Sequence, residues 1–155
     1  MSLEIGKKAP DFDLQDKDGT SYTLDSFAGK KLIIFFYPKD NTPGCTKEAC
    51  KFRDLKADFD SADTVIVGVS KDGAKSHAKF IEKFDLPYVL LSDEDTEMMQ
   101  AYDCWKEKSL YGKKYMGTVR SSVLIDESGN ILHHWEKVKK AETHPEEVLE
   151  VLKSL

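Results

Sequence analysis

Three stretches of the chain carry the hydrophobic pattern of strands buried within a sheet. Residues 31–37 (KLIIFFY) and 64–70 (TVIVGVS) are continuous runs rich in β-branched and aromatic side chains, and residues 88–91 form a shorter run of the same kind. A strand that helices cover on both faces has no polar side, so it reads as such a run. The pattern predicts a sheet whose central strands are enclosed on both faces.

Other segments space their hydrophobic residues as helices do. Residues 48–59, 72–84 and 97–102 repeat apolar side chains every three or four positions. A last helix is predicted to begin at Thr143, because its spacing to Glu146 suits a capping box. The chain therefore alternates predicted helices with predicted strands.

Turn-forming residues connect two further pairs of predicted strands. The pairs are 11–15 with 21–24 around the turn at 16–19, and 121–125 with 131–135 around the turn at 126–130. Helices that alternate with covered strands imply an α/β fold of three layers. Because the closing hairpin is antiparallel, the central sheet is predicted to be mixed, and the chain is predicted to begin with a β-hairpin.

Length and composition fit one domain that spans residues 1–155. Hydrophobic residues make up 40% of the 155-residue chain and charged residues 33%, which excludes disordered and low-complexity classes. The net charge of −5 argues against a nucleic-acid partner. The longest apolar run, 32–37, is too short to span a bilayer, and the N-terminus lacks the apolar region of a signal peptide. We therefore expect a cytoplasmic protein with no membrane partner.

The chain contains three cysteines, Cys45, Cys50 and Cys104. Three cysteines are the wrong number for a disulfide framework. The sequence contains no Cys-x2-Cys or His-x3-His pair, so it gives no sign of a zinc site. We therefore expect neither a metal nor another cofactor. The thiols serve either packing or reactivity.

Cys45 lies just after the loop that follows the predicted strand 31–37. In open α/β sheets, reactive sites gather where the end of a strand gives way to the start of a helix. With Thr42 or Asn41 as N-cap and Pro43 in the first turn, Cys45 lies where the helix dipole favours a thiolate. A buried and inert packing cysteine is the alternative interpretation.

Cys50 follows Cys45 by five positions. On an α-helix such residues are about 140° apart around the axis and roughly 8–9 Å apart at Cα. A disulfide needs Cα atoms within about 7 Å, so these cysteines can bond only if the first turns of the helix unwind. Glu48, one turn after Cys45, is expected to act mildly against a thiolate.

This segment resembles the active-site motif of the peroxiredoxins. Pro38-x-x-x-Thr42-x-x-Cys45 matches that motif, and Cys50 matches the resolving position of the bacterioferritin comigratory protein (peroxiredoxin Q) subfamily. The resemblance implies a thioredoxin-like fold and a thiol-dependent peroxidase that reduces hydrogen peroxide and organic hydroperoxides. It extends over nearly the whole chain, through GKKAPDFDLQDKDG, VIVGVSKD, FIEKFDLPYVLLSD, YGKKYMG and RSSVLIDESGNI.

The resemblance also implies roles for particular residues. Cys45 would attack the peroxide and become a sulfenic acid, Thr42 would hold the reacting oxygens by hydrogen bonds, and Pro38 would shield the site from water. Arg120 would stabilise the thiolate and the developing negative charge, although without the resemblance it reads as a surface ion-pair residue. Cys50 would then form an intramolecular disulfide that thioredoxin or a glutaredoxin-like protein reduces, and the protein would be a monomer.

Three other residues are assigned by simpler arguments. Cys104 takes a position where relatives carry an apolar residue, so it is interpreted as a small buried hydrophobe, with a second resolving thiol as the alternative. His77 and His144 lie near the predicted starts of helices and are expected to be solvated.

Two functions compete with a peroxidase. A redox sensor would oxidise Cys45 once and signal through the unwound segment, whereas a peroxidase needs rapid recycling. A general thiol–disulfide oxidoreductase is disfavoured because the chain has no Cys-x-x-Cys motif.

Overall fold

The computed structural model describes residues 3–155, and its strands form one large sheet and one small one. The large sheet has seven strands in the order β2-β1-β5-β4-β3-β8-β9, and the small one pairs β6 with β7. The strands are β1 (Asp13–Gln15), β2 (Ser21–Thr23), β3 (Lys31–Phe36), β4 (Thr64–Ser70), β5 (Val89–Ser92), β6 (Trp105–Leu110), β7 (Lys113–Thr118), β8 (Ser121–Ile125) and β9 (Ile131–Trp135).

The large sheet is mixed, as its central register shows. β3 runs parallel to β4, with Leu32 opposite Val65, and antiparallel to β8, with Phe36 opposite Ser121. β4 is parallel to β5, and β8 and β9 are antiparallel. The predicted mixed sheet is confirmed, and so is the N-terminal hairpin, which joins the sheet at β5 through Gln15 and Ser92.

Helices lie on both faces of this sheet. They are a 3-10 helix (Leu24–Phe27), α1 (Pro43–Asp54), α2 (Lys56–Ser61), α3 (Ala74–Phe84), α4 (Glu97–Ala101) and α5 (His144–Lys153). Alternate side chains of β3 divide between the two faces: Phe35 packs with residues of α1, α2, α3 and α5, and Phe36 packs with residues of α4. The predicted three-layer α/β fold is therefore confirmed.

The boundaries of some elements differ from the hydrophobic pattern. The helix predicted over 48–59 is in fact two helices, and the first begins at Pro43, as the capping residues indicated. The hairpin of β6 and β7 was not predicted. Its residues are mostly exposed on both faces, so no hydrophobic alternation marks its strands.

The expectation that His77 and His144 are solvated is wrong. Both side chains are buried, with 0% and 1% of their surface exposed. Each finds polar partners in the interior: Asp40 and the Leu91 carbonyl for His77, and Ser122 for His144.

No helix in the described part of the chain is both long and apolar enough to cross a membrane.

Candidate active site

Cys45 lies in the first turn of α1, immediately after the loop that follows β3. Thr42 is the N-cap, with extended backbone angles, and Pro43 occupies the first turn, as predicted. The Thr46 amide donates to the Thr42 carbonyl at 2.8 Å, so the helix is already formed at Cys45. Only 1% of the Cys45 residue surface is exposed. The thiol is therefore held in a buried position near the positive end of a helix.

Strand pairing brings Arg120 to this thiol. Arg120 immediately precedes β8, and the first residue of β8, Ser121, pairs with Phe36 at the end of β3. The loop to α1 starts at that point, so the two chain segments meet. Arg120 Nη2 lies 3.2 Å from Cys45 Sγ. The guanidinium charge is thus placed to stabilise a thiolate.

The same guanidinium holds a second partner, Glu48. Arg120 Nη1 donates to Glu48 Oε1 at 2.8 Å, and the Glu48 residue is completely buried. Burial raises the pKa of Glu48 to about 7, and the charge and hydrogen bond of Arg120 oppose that rise. Glu48 Oε2 has no hydrogen-bond partner among residues 3–155. The arginine therefore bridges a thiol and a carboxyl group that ionises near neutral pH.

The direct contact of Glu48 with Arg120 was missed in the sequence. Glu48 was interpreted only as a mild opponent of the thiolate. Its position held a stronger signal, because Glu48 is three residues after Cys45 and four before the apolar Phe52, and so belongs to the buried face of α1. A carboxylate on a buried face requires a cation or a proton.

Gly44 gives the arginine room beside Cys45. A methyl group added at Gly44 would lie 3.2 Å from Arg120 Nη2. That distance is tighter than an ordinary contact, so the guanidinium would have to shift by a few tenths of an ångström. A glycine at this position therefore permits the close approach of Arg120 to the helix.

Thr42 and Pro38 are nearby but do not contact the thiol through a hydrogen bond in this structure. The Thr42 hydroxyl donates to the Lys39 carbonyl at 2.9 Å, so its only proton is engaged and its lone pairs are left to accept. Pro38 and Arg120 line the same cleft of about 690 Å³, together with residues of the β6–β7 hairpin such as Lys108 and Tyr115. This cleft leads from the surface to the arginine.

Cys50 lies on α1 and is more accessible than Cys45. It is partly exposed, and burial raises the pKa of its thiol, an effect that the charge of Arg53 reduces. Cys45, Cys50 and Cys104 are all free thiols. Because α1 is helical from Pro43 to Asp54, the five-residue spacing keeps Cys45 and Cys50 from bonding in this conformation.

Cys104 lies in the core, away from this arrangement. It is fully buried beside residues of α4, and burial raises the pKa of its thiol to about 12. The structure confirms the prediction that Cys104 is buried. Burial therefore disfavours its thiolate, which is the reactive form of a cysteine.

Among residues 3–155, no three His, Cys, Asp or Glu side chains lie close enough together to hold a metal ion. The chemistry available to the described site is that of a thiol, an arginine and a carboxyl group.

Comparison with known proteins gives near-complete matches. The model of the AhpC/TSA family matches residues 5–134. A peroxiredoxin Bcp of Bacillus subtilis is 46% identical over 155 residues, covering 100% of this chain and 98% of that protein. A putative peroxiredoxin bcp of Coxiella burnetii is 49% identical over 139 residues, covering 90% of this chain and 92% of that protein.

Solved structures agree with these relatives. A cysteine-to-serine mutant of PrxQ from Xylella fastidiosa superposes with a TM-score of 0.93 at 35% identity, covering 99% of this chain and 98% of that one. The bacterioferritin comigratory protein of Xanthomonas campestris, which was studied for alkyl peroxide reduction, superposes with a TM-score of 0.90 at 41% identity. These structures cover 97% or more of both chains compared.

Proposed function

The chain belongs to the AhpC/TSA family, in the peroxiredoxins of the bacterioferritin comigratory protein (peroxiredoxin Q) type, and we propose that Cys45 is the thiol that carries its activity. The protein is a thiol-dependent peroxidase, an oxidoreductase of thioredoxin-like fold. One observation above all supports the assignment to Cys45: the guanidinium of Arg120 lies 3.2 Å from its sulfur. Neither of the other thiols has an arginine bonded to it among the described residues.

The proposed first step is attack of the Cys45 thiolate on the nearer oxygen of the peroxide. The S–O bond forms as the O–O bond breaks, two electrons pass from sulfur to the peroxide, and Cys45 becomes a sulfenic acid. The departing oxygen takes a proton and leaves as water or an alcohol. Arg120, fixed beside the sulfur, stabilises the negative charge at the start and during the transfer.

Thr42 and Pro38 are proposed to position the peroxide. Because the Thr42 hydroxyl already donates to Lys39, its oxygen is free to accept a hydrogen bond from the peroxide O–H. Pro38 lines the cleft with Arg120, where its ring limits the access of water. The size of that cleft and the alkyl peroxide reduction studied in the Xanthomonas relative support organic hydroperoxides as substrates besides hydrogen peroxide.

Cys50 is proposed to resolve the sulfenic acid. Its thiol attacks the Cys45 sulfur, water leaves, and an intramolecular disulfide forms once the first turns of α1 have unwound. Thioredoxin, or a glutaredoxin-like dithiol, then reduces the disulfide and returns both thiols. The partial exposure of Cys50 supports this role, because the reductant must reach the bond.

One experiment tests these roles together. The reduced protein is treated with one equivalent of hydrogen peroxide, and its intact mass and non-reduced peptide map are recorded. We expect a loss of two hydrogens and a peptide that links Cys45 to Cys50. An unchanged mass would contradict the assignment of Cys45, and a link through Cys104 would contradict the assignment of Cys50.

Single substitutions separate the two thiols. Cys50→Ser is expected to consume one equivalent of peroxide and to lose turnover with thioredoxin. Cys45→Ser is expected to lose both. Full thioredoxin-coupled turnover in Cys50→Ser would mean that another thiol resolves the sulfenic acid.

We further propose that residues 1–155 form a single domain that acts as a monomer in the cytoplasm. One seven-stranded sheet with a hydrophobic cluster on each face supports the single domain. Light scattering coupled to size-exclusion chromatography tests the monomer. Fractionation of cells that express the chain tests its location.

A further inference from the structure

A buried hydrogen-bonded pair lies in the loop that leads to Cys45. Asp40, between β3 and α1, places its Oδ2 atom 2.7 Å from Nδ1 of His77 on α3. The hydroxyl groups of Tyr37 and Ser76 donate to the same carboxylate at 2.6 and 2.8 Å. The Asp40 and His77 residues are 7% and 0% exposed, so water does not compete for these bonds.

The partners of His77 locate its protons. Nε2 lies 3.1 Å from the carbonyl oxygen of Leu91, which can only accept, so Nε2 carries a hydrogen. In a neutral ring Nδ1 would then be bare and would face a carboxylate oxygen. Two acceptors at 2.7 Å repel, and a proton must therefore lie between Nδ1 and Oδ2. The pair is therefore a short hydrogen bond that shares one proton between Nδ1 and Oδ2, and the hydroxyl groups of Tyr37 and Ser76 add two donors to the same carboxyl group.

The backbone of Asp40 is fixed as well. Its N–H donates to Asp72 Oδ2 at 2.8 Å, and Ser70 donates to the same carboxylate oxygen at 2.8 Å. Asp40 is therefore joined to Tyr37 just after β3, to α3 and to the loop after β4. Only Asn41 and Thr42 separate it from Pro43, the first residue of α1, and the three Cα–Cα steps between them span at most about 11 Å. Movement of the start of α1 therefore pulls directly on the contacts of Asp40.

A second buried bond holds α1 on the other side of Cys45. Tyr88 donates its hydroxyl hydrogen to the Ala49 carbonyl at 2.6 Å. Residues 41–48 thus lie between two anchors, at Asp40 and at Ala49, and this interval contains Cys45. It is the interval whose helix must open before Cys45 can reach Cys50.

We infer that the Asp40–His77 pair positions the loop that carries Cys45 and thereby sets the balance between its folded and unwound conformations. The folded conformation presents Cys45 to Arg120 and peroxide, and the unwound one presents it to Cys50. His77 acts only through Asp40, so it is a positioning residue rather than a catalytic one. This inference rests on the proposed roles of Cys45 and Cys50.

The test uses His77→Gln, because glutamine has a single side-chain nitrogen and cannot bond Asp40 and the Leu91 carbonyl from two nitrogen atoms as the imidazole ring does. Three readouts are followed by rapid quench and mass spectrometry: the rate at which peroxide oxidises Cys45, the rate of disulfide formation, and the fraction of Cys45 that becomes sulfinic acid in excess peroxide. Loss of one buried hydrogen bond is expected to speed disulfide formation about tenfold. Peroxide oxidation becomes slower, and less sulfinic acid forms.

His144→Gln is the matched control, because His144 is equally buried but bonds Ser122, and its ring packs on α1 at Phe52, outside the interval 41–48. General destabilisation would move all three readouts in both variants alike, and that result would overturn the inference. Opposite changes in the two rates, confined to His77→Gln, support it. Ser76→Ala, which removes a single donor to Asp40, is expected to give a smaller change in the same direction.

The outcomes also separate this inference from the proposed function. If the wild-type protein forms no Cys45–Cys50 disulfide, the proposed function fails. If it forms the disulfide and His77→Gln folds but keeps both rates, only the positioning role is overturned. If His77→Gln does not fold, unchanged rates in Ser76→Ala overturn it.

Discussion

Glu48 is a carboxyl group at the site whose charge changes near neutral pH. It is completely buried, and its pKa is raised to about 7 from an ordinary value of 4.5. The folded protein therefore binds a proton that the unfolded chain has lost between these pH values. Stability contributed by the protonated form is present at low pH and falls as the pH rises towards 7.

Glu48→Gln is predicted to remove this pH dependence. The free energy of unfolding of the variant relative to the wild type should rise by about 3 kcal/mol between pH 4.5 and pH 7. Denaturant titrations of both reduced proteins at several pH values measure this difference in the free energy of unfolding. The contributions of the other carboxyl groups cancel in it. A constant difference would mean that folding does not raise the pKa of Glu48.

Arg120 is predicted to be irreplaceable by lysine. The guanidinium group of Arg120 contacts Cys45 with one nitrogen and Glu48 with the other. The ammonium group of lysine has a single nitrogen and cannot make both contacts with this geometry. Arg120→Lys should slow the oxidation of Cys45 by peroxide about a hundredfold, as in the loss of a well-placed donor. Stopped-flow oxidation of the reduced proteins gives the rate. Arg53→Lys, on α1 but bonded to the Phe84 carbonyl, is the control, and an equal loss there would contradict the special role of Arg120.

The sequence identified Cys45 and Arg120 more easily than the contacts between them. Cys45 could be placed because N-caps and prolines mark the start of a helix locally. Arg120 was singled out only through the family resemblance, because its contact depends on the pairing of β8 with β3, far along the chain. His77 was misplaced for the same reason, since its partners Asp40 and Leu91 come from other elements.

At the scale of elements, the first turn of α1 carries opposing requirements. The turn is helical where it places Cys45 beside Arg120, and under the proposed resolving role of Cys50 it must open before the two thiols can meet. Gly44 serves both needs, because it leaves room for the guanidinium and is a poor helix former. A change at Gly44 should therefore affect both steps of the cycle.

Gly44→Ala is predicted to slow both steps. The added methyl group displaces Arg120 Nη2, which would lie only 3.2 Å away, and should reduce the oxidation rate of Cys45 about tenfold. The stronger helix former should stabilise the turn by up to about 1 kcal/mol and so slow disulfide formation several-fold. Single-turnover oxidation and resolution rates test the two effects separately. Faster disulfide formation in the variant would show that the contact with Arg120, rather than helix propensity, determines the stability of the first turn of α1.

Elements were predictable where burial leaves a continuous signature. The limits of β4, β8 and β9 match the predicted strands residue for residue. β4 and β8 are mostly buried strands inside the large sheet, whereas β9 lies at its edge and was marked by the turn at 126–130. The β6–β7 hairpin has no such signature, yet it supplies Lys108 and Tyr115 to the cleft beside Arg120. An exposed element that shapes a site is thus the hardest to find in a sequence.

At the scale of the whole molecule, the site lies beside the end of β3, a strand in the most buried part of the sheet. β3 pairs with a strand on each side, and all but one of its residues are buried between the two hydrophobic clusters. α1 packs on one face only, through side chains such as Phe52. The helix can therefore open at its start while the sheet below it stays intact.

Hydrogen exchange is predicted to show this separation directly. In the oxidised protein, the amides of residues 45–48 should exchange about a hundredfold faster than in the reduced protein, because a Cys45–Cys50 disulfide cannot form in a helix. The amides of β3 and β4 should keep their protection, since their hydrogen bonds lie within the sheet. Mass spectrometry of peptides from both forms measures the exchange, and Cys50→Ser treated with peroxide is the control that oxidises without the intramolecular disulfide. If β3 also loses protection, the opening is global, and the anchors at Asp40 and Ala49 do not confine it.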